Sequence, residues 1–288
     1  MSTSPEFIEK QVDNFTKPIL FNSMGYLSKN GAYYDIEKSV TFVKNLTAFK
    51  NWYTKTLEQF GDAFKNVKIL EIYPFVNETR PLGFVMIDAD IYYNGVQVPG
   101  AAFIRGGAVA MLTIIVDEAN NTEYVVTTIQ PRVPGSDPKY EEIPAGMIDS
   151  AQNFIGVAAK EMKEETGIEI KENDLISLGK MYPSIGGCDE FINLYYVTKM
   201  MKTDEIQELQ GKLTGNMEEN ESIALHIQTM DEFKTALKNG IITDSKAMSA
   251  YAQYILKLSE ISTGGGRKTR RRKNGKKIIR NTRNVKRK

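Results

Sequence analysis

Between Gly146 and Ile168 the chain reads GMIDSAQNFIGVAAKEMKEETGI, and no other stretch limits the fold so strongly. Glu161, Glu164 and Glu165 stand three and four positions apart, so on a helix their carboxylates share one face and point into one volume. Acids crowded in this way repel one another. A hard divalent cation, which takes carboxylate oxygens and keeps some of its waters, relieves that repulsion. Ile155, Ala158, Ala159 and Met162 fall at i, i+3, i+4 and i+7 and form an apolar stripe on the same helix. At about 100° per residue the stripe is centred away from the glutamates, so one face packs while another binds metal. Asp149 or Ser150 is expected to cap the first turn, and Gly167 to supply the left-handed residue that ends the helix.

The run resembles the Nudix box, G-x5-E-x7-R-E-U-x-E-E-x-G-U, where U is a bulky aliphatic residue. Gly146, Glu161, Met162, Glu164, Glu165, Gly167 and Ile168 match it, whereas Gln152 stands in place of the first Glu and Lys160 in place of the Arg. Around the box, EEIPAGMID (Glu141 to Asp149) and PSIGGCDEFINLYY (Pro183 to Tyr196) are similar to the ADP-sugar and ADP-ribose pyrophosphatase branch of the Nudix hydrolases. ELQGKLTG, from Glu208 to Gly215, and the stretch from Gly83 to Met111 resemble the plant-type ADP-sugar diphosphatases, with a likeness extending over roughly residues 40 to 258.

The resemblance implies a Mg²⁺-dependent hydrolase, with Mn²⁺ as a substitute, that splits a nucleoside diphosphate sugar such as ADP-ribose or ADP-glucose into AMP and a sugar phosphate. It implies that Glu161 and Glu165 are direct metal ligands, that Glu164 is a ligand or a shared bridge, and that the backbone carbonyl of Ala145 completes the site. In this branch the proton acceptor is a glutamate on a loop beyond the box, which points to Glu221 and, after it, Glu219. Arg105 in FIRGG and Arg132 in QPRVP match arginines that hold substrate phosphates, a task suited to a planar fork of donors. Either arginine could instead form a structural ion pair. Gly186 and Gly187 would let the backbone approach the ligand, or simply form a tight turn. Lys160 keeps the box charge but loses the bidentate geometry, and Gln152 loses a charge, which leaves a fold-retaining, non-catalytic nucleotide-binding module as one alternative. A Nudix enzyme acting on RNA caps is another.

Composition supports a globular chain with a core of one large or two small domains: 41% of the 288 residues are hydrophobic and 25% charged. No run of about 18 uncharged apolar residues occurs, so no membrane span is expected. The N-terminus, MSTSPEFIEKQVDNF, carries acids early and lacks an apolar core, which argues against a secretory signal or transit peptide. The single cysteine, Cys188, cannot pair within the chain, so a reducing compartment is expected, the cytoplasm first. The net charge of +1 hides a division. Arg267 to Lys288 holds 13 of the 37 basic residues and no acid, leaving 24 basic against 36 acidic residues elsewhere. This basic tail, joined through the triplet Gly264 to Gly266, is too charged to pack and is expected to be disordered. It reads as a solubilising extension, a nuclear address, a nucleic-acid-binding arm or an attachment to an acidic partner.

The body divides by pattern into three parts: residues 1–105, residues 106–262 and the tail 263–288. In the first, Phe42, Val43, Leu46, Phe49, Trp52 and Leu57 predict one helix from about Ser39 to Phe64, ending near Gly61. Strands follow at Val67–Phe75, Leu82–Tyr92 and Val96–Ile104, with Asn94-Gly95 as a two-residue hairpin, giving a small antiparallel sheet. The resemblance implies that this sheet takes part in a homodimer. The second part alternates: strands at Ala108–Val116 and Tyr124–Gln130, the box helix, strands near Leu178–Met181, Phe191–Lys199 and Ile223–Gln228, then helices from about Asp231 and over Ser245–Leu258. That order predicts an α/β (α+β) class with a mixed sheet between helices, by resemblance the Nudix α/β/α sandwich.

His226 is the sole histidine, lies in a predicted strand and reads as structural, so no Ser-His-Asp triad can be assembled. Cys188 has no second cysteine for a zinc site, and no GxxxxGK[ST] phosphate loop occurs.

Overall fold

Asn94 and Gly95 both take positive φ, 52° and 80°, and Tyr93 pairs with Val96 across them, the tight turn predicted for this dipeptide. The structure is a computed structural model of the full chain. It describes residues 6–27, 32–75, 83–148, 154–215 and 222–260, apart from the side chains of Phe154 and Glu161.

The N-terminal part contains β1 (Phe7–Lys10), β2 (Ile19–Asn22), β3 (Tyr26–Leu27), β4 (Tyr33–Tyr34), α1 (Ile36–Asn45), α2 (Thr47–Phe60), β5 (Phe64–Pro74), β6 (Gly83–Tyr93), β7 (Val96–Val98) and β8 (Ala101–Ile104). Its main sheet runs β1-β2-β5-β6-β7, with β8 also on β6. The expected strands pair antiparallel, and the sheet extends further through β1 and β2, with β2 parallel to β5. The single expected helix is in fact two: Leu46, extended at φ −66° and ψ 112°, separates α1 from α2. That residue is itself buried, so the break lets both helices press apolar faces onto the sheet. The strand expected over Val96–Ile104 is likewise two, divided at Pro99-Gly100. A Cβ at Gly100 would stand 1.8 Å from the carbonyl oxygen of Ala89, so the close crossing there requires glycine.

The second part comprises β9 (Gly107–Asp117), β10 (Glu123–Arg132), β11 (Asp137–Glu142), β12 (Ala145–Met147), α3 (Phe154–Thr166), β13 (Ile176–Met181), β14 (Phe191–Met201), α4 (Thr203–Leu209), β15 (Leu213–Thr214), β16 (Ile223–Thr229), α5 (Met230–Lys238) and α6 (residues 245–260). The sheet order is β13-β14-β9-β10-β16-β15, with β11 on β10 and β12 on β9. β14 and β9 run parallel over eleven residue pairs, and the remaining pairings are antiparallel, so the sheet is mixed as expected. β9 is buried on both faces, because successive side chains alternate between two cores. Val109, Met111 and Ile115 pack with Val157, Ala158 and Met162 of α3, while Ala110, Leu112 and Ile114 pack with Phe233 and Leu237 of α5 and Ala247 and Ala250 of α6. Helices therefore cover both sides of the sheet. Among the described residues no helix is long and apolar enough to cross a membrane.

Candidate active site

The apolar stripe of α3 decides where its acids go. Val157, Ala158 and Met162 are buried against the sheet, with Ile155 and Ala159 partly so, and Gly167 at φ 72° ends the helix with its N–H on Lys163 O at 2.9 Å. This packing turns Glu165 inward, where it is only 6% exposed and its Oε2 accepts the backbone N–H of Ala145 at 3.1 Å. Glu164, one residue earlier, lies on the open side, and its Oε2 is 3.3 Å from Lys160 Nζ. Thr214 of β15 donates its hydroxyl to the backbone oxygen of Glu165, so β15 is stitched to the last turn of α3. Thr214 also pairs with Ile223 in the β15/β16 ladder. Glu219 and Glu221, expected as proton acceptors, lie outside the described residues, as do Asp149, Ser150, Gln152 and the side chain of Glu161.

Among the described residues no three Asp, Glu, His or Cys side chains converge on a metal-binding point. The donors that are present fit a hard cation nonetheless. A buried carboxylate, Glu165, is held against the strand bearing Ala145, while Glu164 stands on the open side of the same helical turn beside Lys160. Oxygen donors of this kind are what Mg²⁺ selects.

Both expected phosphate-binding arginines are engaged by carboxylates. Arg132 aims Nε and Nη2 at Oε1 of Glu142, each at 2.7 Å, and Glu142 is buried. Its other oxygen lies 2.7 Å from Lys246 Nζ, which in turn is 2.8 Å from Asp244 Oδ1. Asp244 Oδ2 accepts the N–H of Ile143 at 3.1 Å and that of Ala247 at 3.2 Å. Burial alone would lower the pKa of Lys246, but Asp244 and Glu142 outweigh it and hold the ammonium above its usual range. The network fastens the start of α6 to the segment leading into Pro144-Ala145. Spacing did not reveal it, although an Asp just ahead of a helix is a capping signal that was available.

Arg105 Nη1 is 3.3 Å from Glu190 Oε1, and its guanidinium lies 5.3 Å from the Phe84 ring centre. Burial pushes the Glu190 carboxyl up, with Arg105 pulling against it. Asp189 accepts the N–H groups of Arg105, at 2.7 Å, and of Gly106, at 3.1 Å. Gly186 and Gly187 sit in a turn where Ser184 O accepts from the N–H groups of Gly187 and Cys188. Neither takes positive φ, and a Cβ on either would meet nothing within 4 Å. The turn therefore does not need glycine for its shape, and open space lies beside both residues. His226 Nδ1 is 2.8 Å from Glu141 Oε1, which also accepts from Thr127 and Gln228, so the imidazole belongs to a half-buried polar cluster.

The NUDIX domain family matches residues 107–249, which include α3, Ala145 and the Glu142–Lys246 pair. The chain is 34% identical over 194 residues to "Nudix hydrolase 14, chloroplastic" of Arabidopsis thaliana, an alignment covering 62% of each chain and so under two thirds of that relative's length. It is 31% identical to the methanol dehydrogenase activator of Bacillus methanolicus, over 52% of this chain and 71% of the relative. With the ADP-ribose pyrophosphatase of Bacillus subtilis (strain 168) it shares 28% identity over 59% of this chain and 86% of that protein. The crystal structure of an ADP compounds hydrolase superposes with a TM-score of 0.42 at 19% identity, covering 69% of this chain and 96% of that one. With Glu164 and Glu165 on a glycine-ended helix beside Ala145, and the matching domain laid over the same residues, the chain belongs to the Nudix hydrolase family.

Proposed function

We propose that the protein is a Mg²⁺-dependent hydrolase that splits the pyrophosphate of a nucleoside diphosphate sugar, ADP-ribose or ADP-glucose, into AMP and a sugar phosphate. The observation that carries this reading is the buried Glu165 carboxylate fixed on the N–H of Ala145 at the end of the box helix. The ADP-ribose pyrophosphatase of Bacillus subtilis supplies the substrate class by similarity. Glu161, Glu164, Glu165 and the carbonyl of Ala145 would hold the metal. When bound, Mg²⁺, or Mn²⁺ in its stead, neutralises diphosphate charge and acidifies water. Glu221, or Glu219 after it, takes the proton from the attacking water. Arg105 and Arg132, oriented by Glu190 and Glu142, turn their remaining donors to the phosphates.

The outer face of the N-terminal sheet gathers Tyr73, Phe75, Phe84 and Phe103, with ring centres 4.7 to 6.2 Å apart. An aromatic patch of this kind is suited to burial against a second copy, so the proposed enzyme is a homodimer. The proposed compartment is the cytoplasm, with the basic tail as a nuclear address, while the plant relative is named as chloroplastic. A reporter fusion of the full chain decides among them.

The function is tested by incubating the protein with Mg²⁺ and a panel of nucleotide-sugars, dinucleotides and capped RNA, beside Glu165→Gln. Release of AMP from ADP-sugars by the wild type alone supports the reading. Cleavage of capped RNA with ADP-sugars untouched, or nucleotide binding without turnover, overturns it.

A further inference from the structure

Helix α6, residues 245–260, is apolar on two sides. Ala247, Ala250 and Tyr254 are buried in the core that it shares with α5. At about 100° per residue, Ser245, Met248, Ala252, Ile255, Leu256 and Ser259 fall within an arc of about 100° on the opposite, outer side, and none of them is charged. Met248 is 50% exposed, Ile255 42% and Leu256 57%. A surface helix normally carries its charges on this side, so an outer stripe without any marks a surface that meets something other than water.

The chain that follows decides what it meets. Arg267 comes seven residues after Glu260, and from there to Lys288 stand 13 basic residues and no acid. Seven residues span at most about 25 Å, so the charges begin close to the end of the stripe. We infer that the outer stripe of α6 and the basic tail together bind an anionic membrane surface, the helix lying among the headgroups and the tail meeting the lipid charges. A nucleic acid would neutralise the tail but leave the stripe in water. A second copy of the chain would cover the stripe but bring another 13 like charges beside the first. An anionic bilayer answers both, because apolar side chains enter the headgroup boundary while basic residues are drawn to the negative leaflet. Weak insertion and charge attraction are each marginal alone and reinforce one another when adjacent. The helix lies on the surface and does not cross it: at about 24 Å it is shorter than the hydrocarbon layer of about 30 Å, and its inner side is taken by the protein's own core. Helix α3 packs on the other face of the sheet, so attachment through α6 leaves the box helix turned away from the lipid. The inference does not depend on the hydrolase reading.

Full-length protein is sedimented with sucrose-loaded vesicles of phosphatidylcholine alone and of phosphatidylcholine with about 30% phosphatidylserine. Pelleting with the second kind and not with the first is expected. Raising the salt to about 1 M, where charges are screened within about 3 Å, should release the protein. Ile255→Asp with Leu256→Asp, both at exposed positions, should weaken binding by about tenfold or more, and Arg270→Gln, Arg271→Gln and Arg272→Gln together should do the same. Both proteins should keep the wild-type melting temperature, which separates lost attachment from lost folding; if the paired aspartates lower it, Met248→Ser takes their place and should weaken binding severalfold. Wild-type affinity in a folded stripe variant, equal pelleting with phosphatidylcholine alone, or no pelleting at all would overturn the inference. Tight binding of single-stranded RNA without vesicle binding assigns the tail to nucleic acid and overturns it too. A concentration-dependent dimer that the aspartate pair abolishes, again without vesicle binding, assigns the stripe to a second copy with the same result.

Discussion

The Oε2 atom of Glu165 accepts the backbone N–H of Ala145 at 3.1 Å, joining the last turn of the box helix to strand β12. Glutamine at 165 can still accept that hydrogen bond but carries no charge. Glu165→Gln is therefore expected to melt within a few degrees of the wild type while kcat falls by about a hundredfold or more, the scale seen when the shell of a metal site is disturbed. A calorimetric scan and an AMP-release assay on the same sample check both halves. Activity within twofold of the wild type would remove this carboxylate from the chemistry.

Lys246 is buried between Glu142 and Asp244, with both contacts under 3 Å. Lys246→Met preserves most of the volume but leaves buried Glu142 with Arg132 alone and buried Asp244 with backbone N–H groups alone, and a loss of about 3 kcal/mol is expected, as for breaking a buried ion pair from one side. Urea unfolding measures it. A change below about 0.5 kcal/mol would show that the network contributes no more than a surface pair.

Lys160 and Glu164 form an exposed i,i+4 pair. Its worth to stability is about 0.3 to 0.5 kcal/mol, so Lys160→Ala should barely move the melting point. Lys160→Arg restores the fork found at this box position in the family. It is expected to raise kcat by roughly fivefold, the rate equivalent of about 1 kcal/mol of charge-assisted hydrogen bonding. An unchanged or lower kcat in the arginine variant would mean that the chain has adapted to lysine.

The pair of His226 and Glu141 makes stability depend on pH. The hydrogen bond to Glu141 holds the imidazole above its usual 6.5 against the pull of burial. Burial pushes Glu141 up, yet the hydrogen bonds from His226 and Thr127 outweigh it and leave the carboxyl below its usual 4.5. Each group is charged in the folded protein over a wider range than in the unfolded chain. The stabilisation is therefore complete between about pH 4.5 and 6.5, fades on the alkaline side as the raised imidazole deprotonates, and fades on the acid side as the lowered carboxyl protonates. The difference in melting temperature between the wild type and His226→Gln should be greatest in that window. A pH-independent difference would show that the pair is neutral.

Local patterns told much of this in advance. The stripe Ile155–Met162, the Asn94-Gly95 turn and the unbroken apolar run of β9 each depend on neighbours within a few residues, and each appears where the pattern predicts it. Leu46 breaks the first helix without any such signal, because its apolar side chain continues the helical period while its backbone leaves it. Strands of three or four residues, such as β2 and β12, are too short to show alternation and exist through pairing with distant partners. The Glu142–Lys246 contact spans 104 residues, and only folding brings the two together. The helix that carries Glu164 and Glu165 was legible, whereas the capture of Arg105 and Arg132 by Glu190 and Glu142 was not, since no spacing rule links those positions.

Only Arg105 and Gly106 separate the last strand of the N-terminal sheet from the first strand of the Nudix sheet, and Asp189 grips both of their N–H groups. Burial raises the Asp189 carboxyl, and those two N–H groups pull it back toward the charged form. This clasp denies the molecule a hinge at the one point where the two sheets are joined by a single strand of chain. A displacement of Asp189 would therefore be felt in both sheets at once.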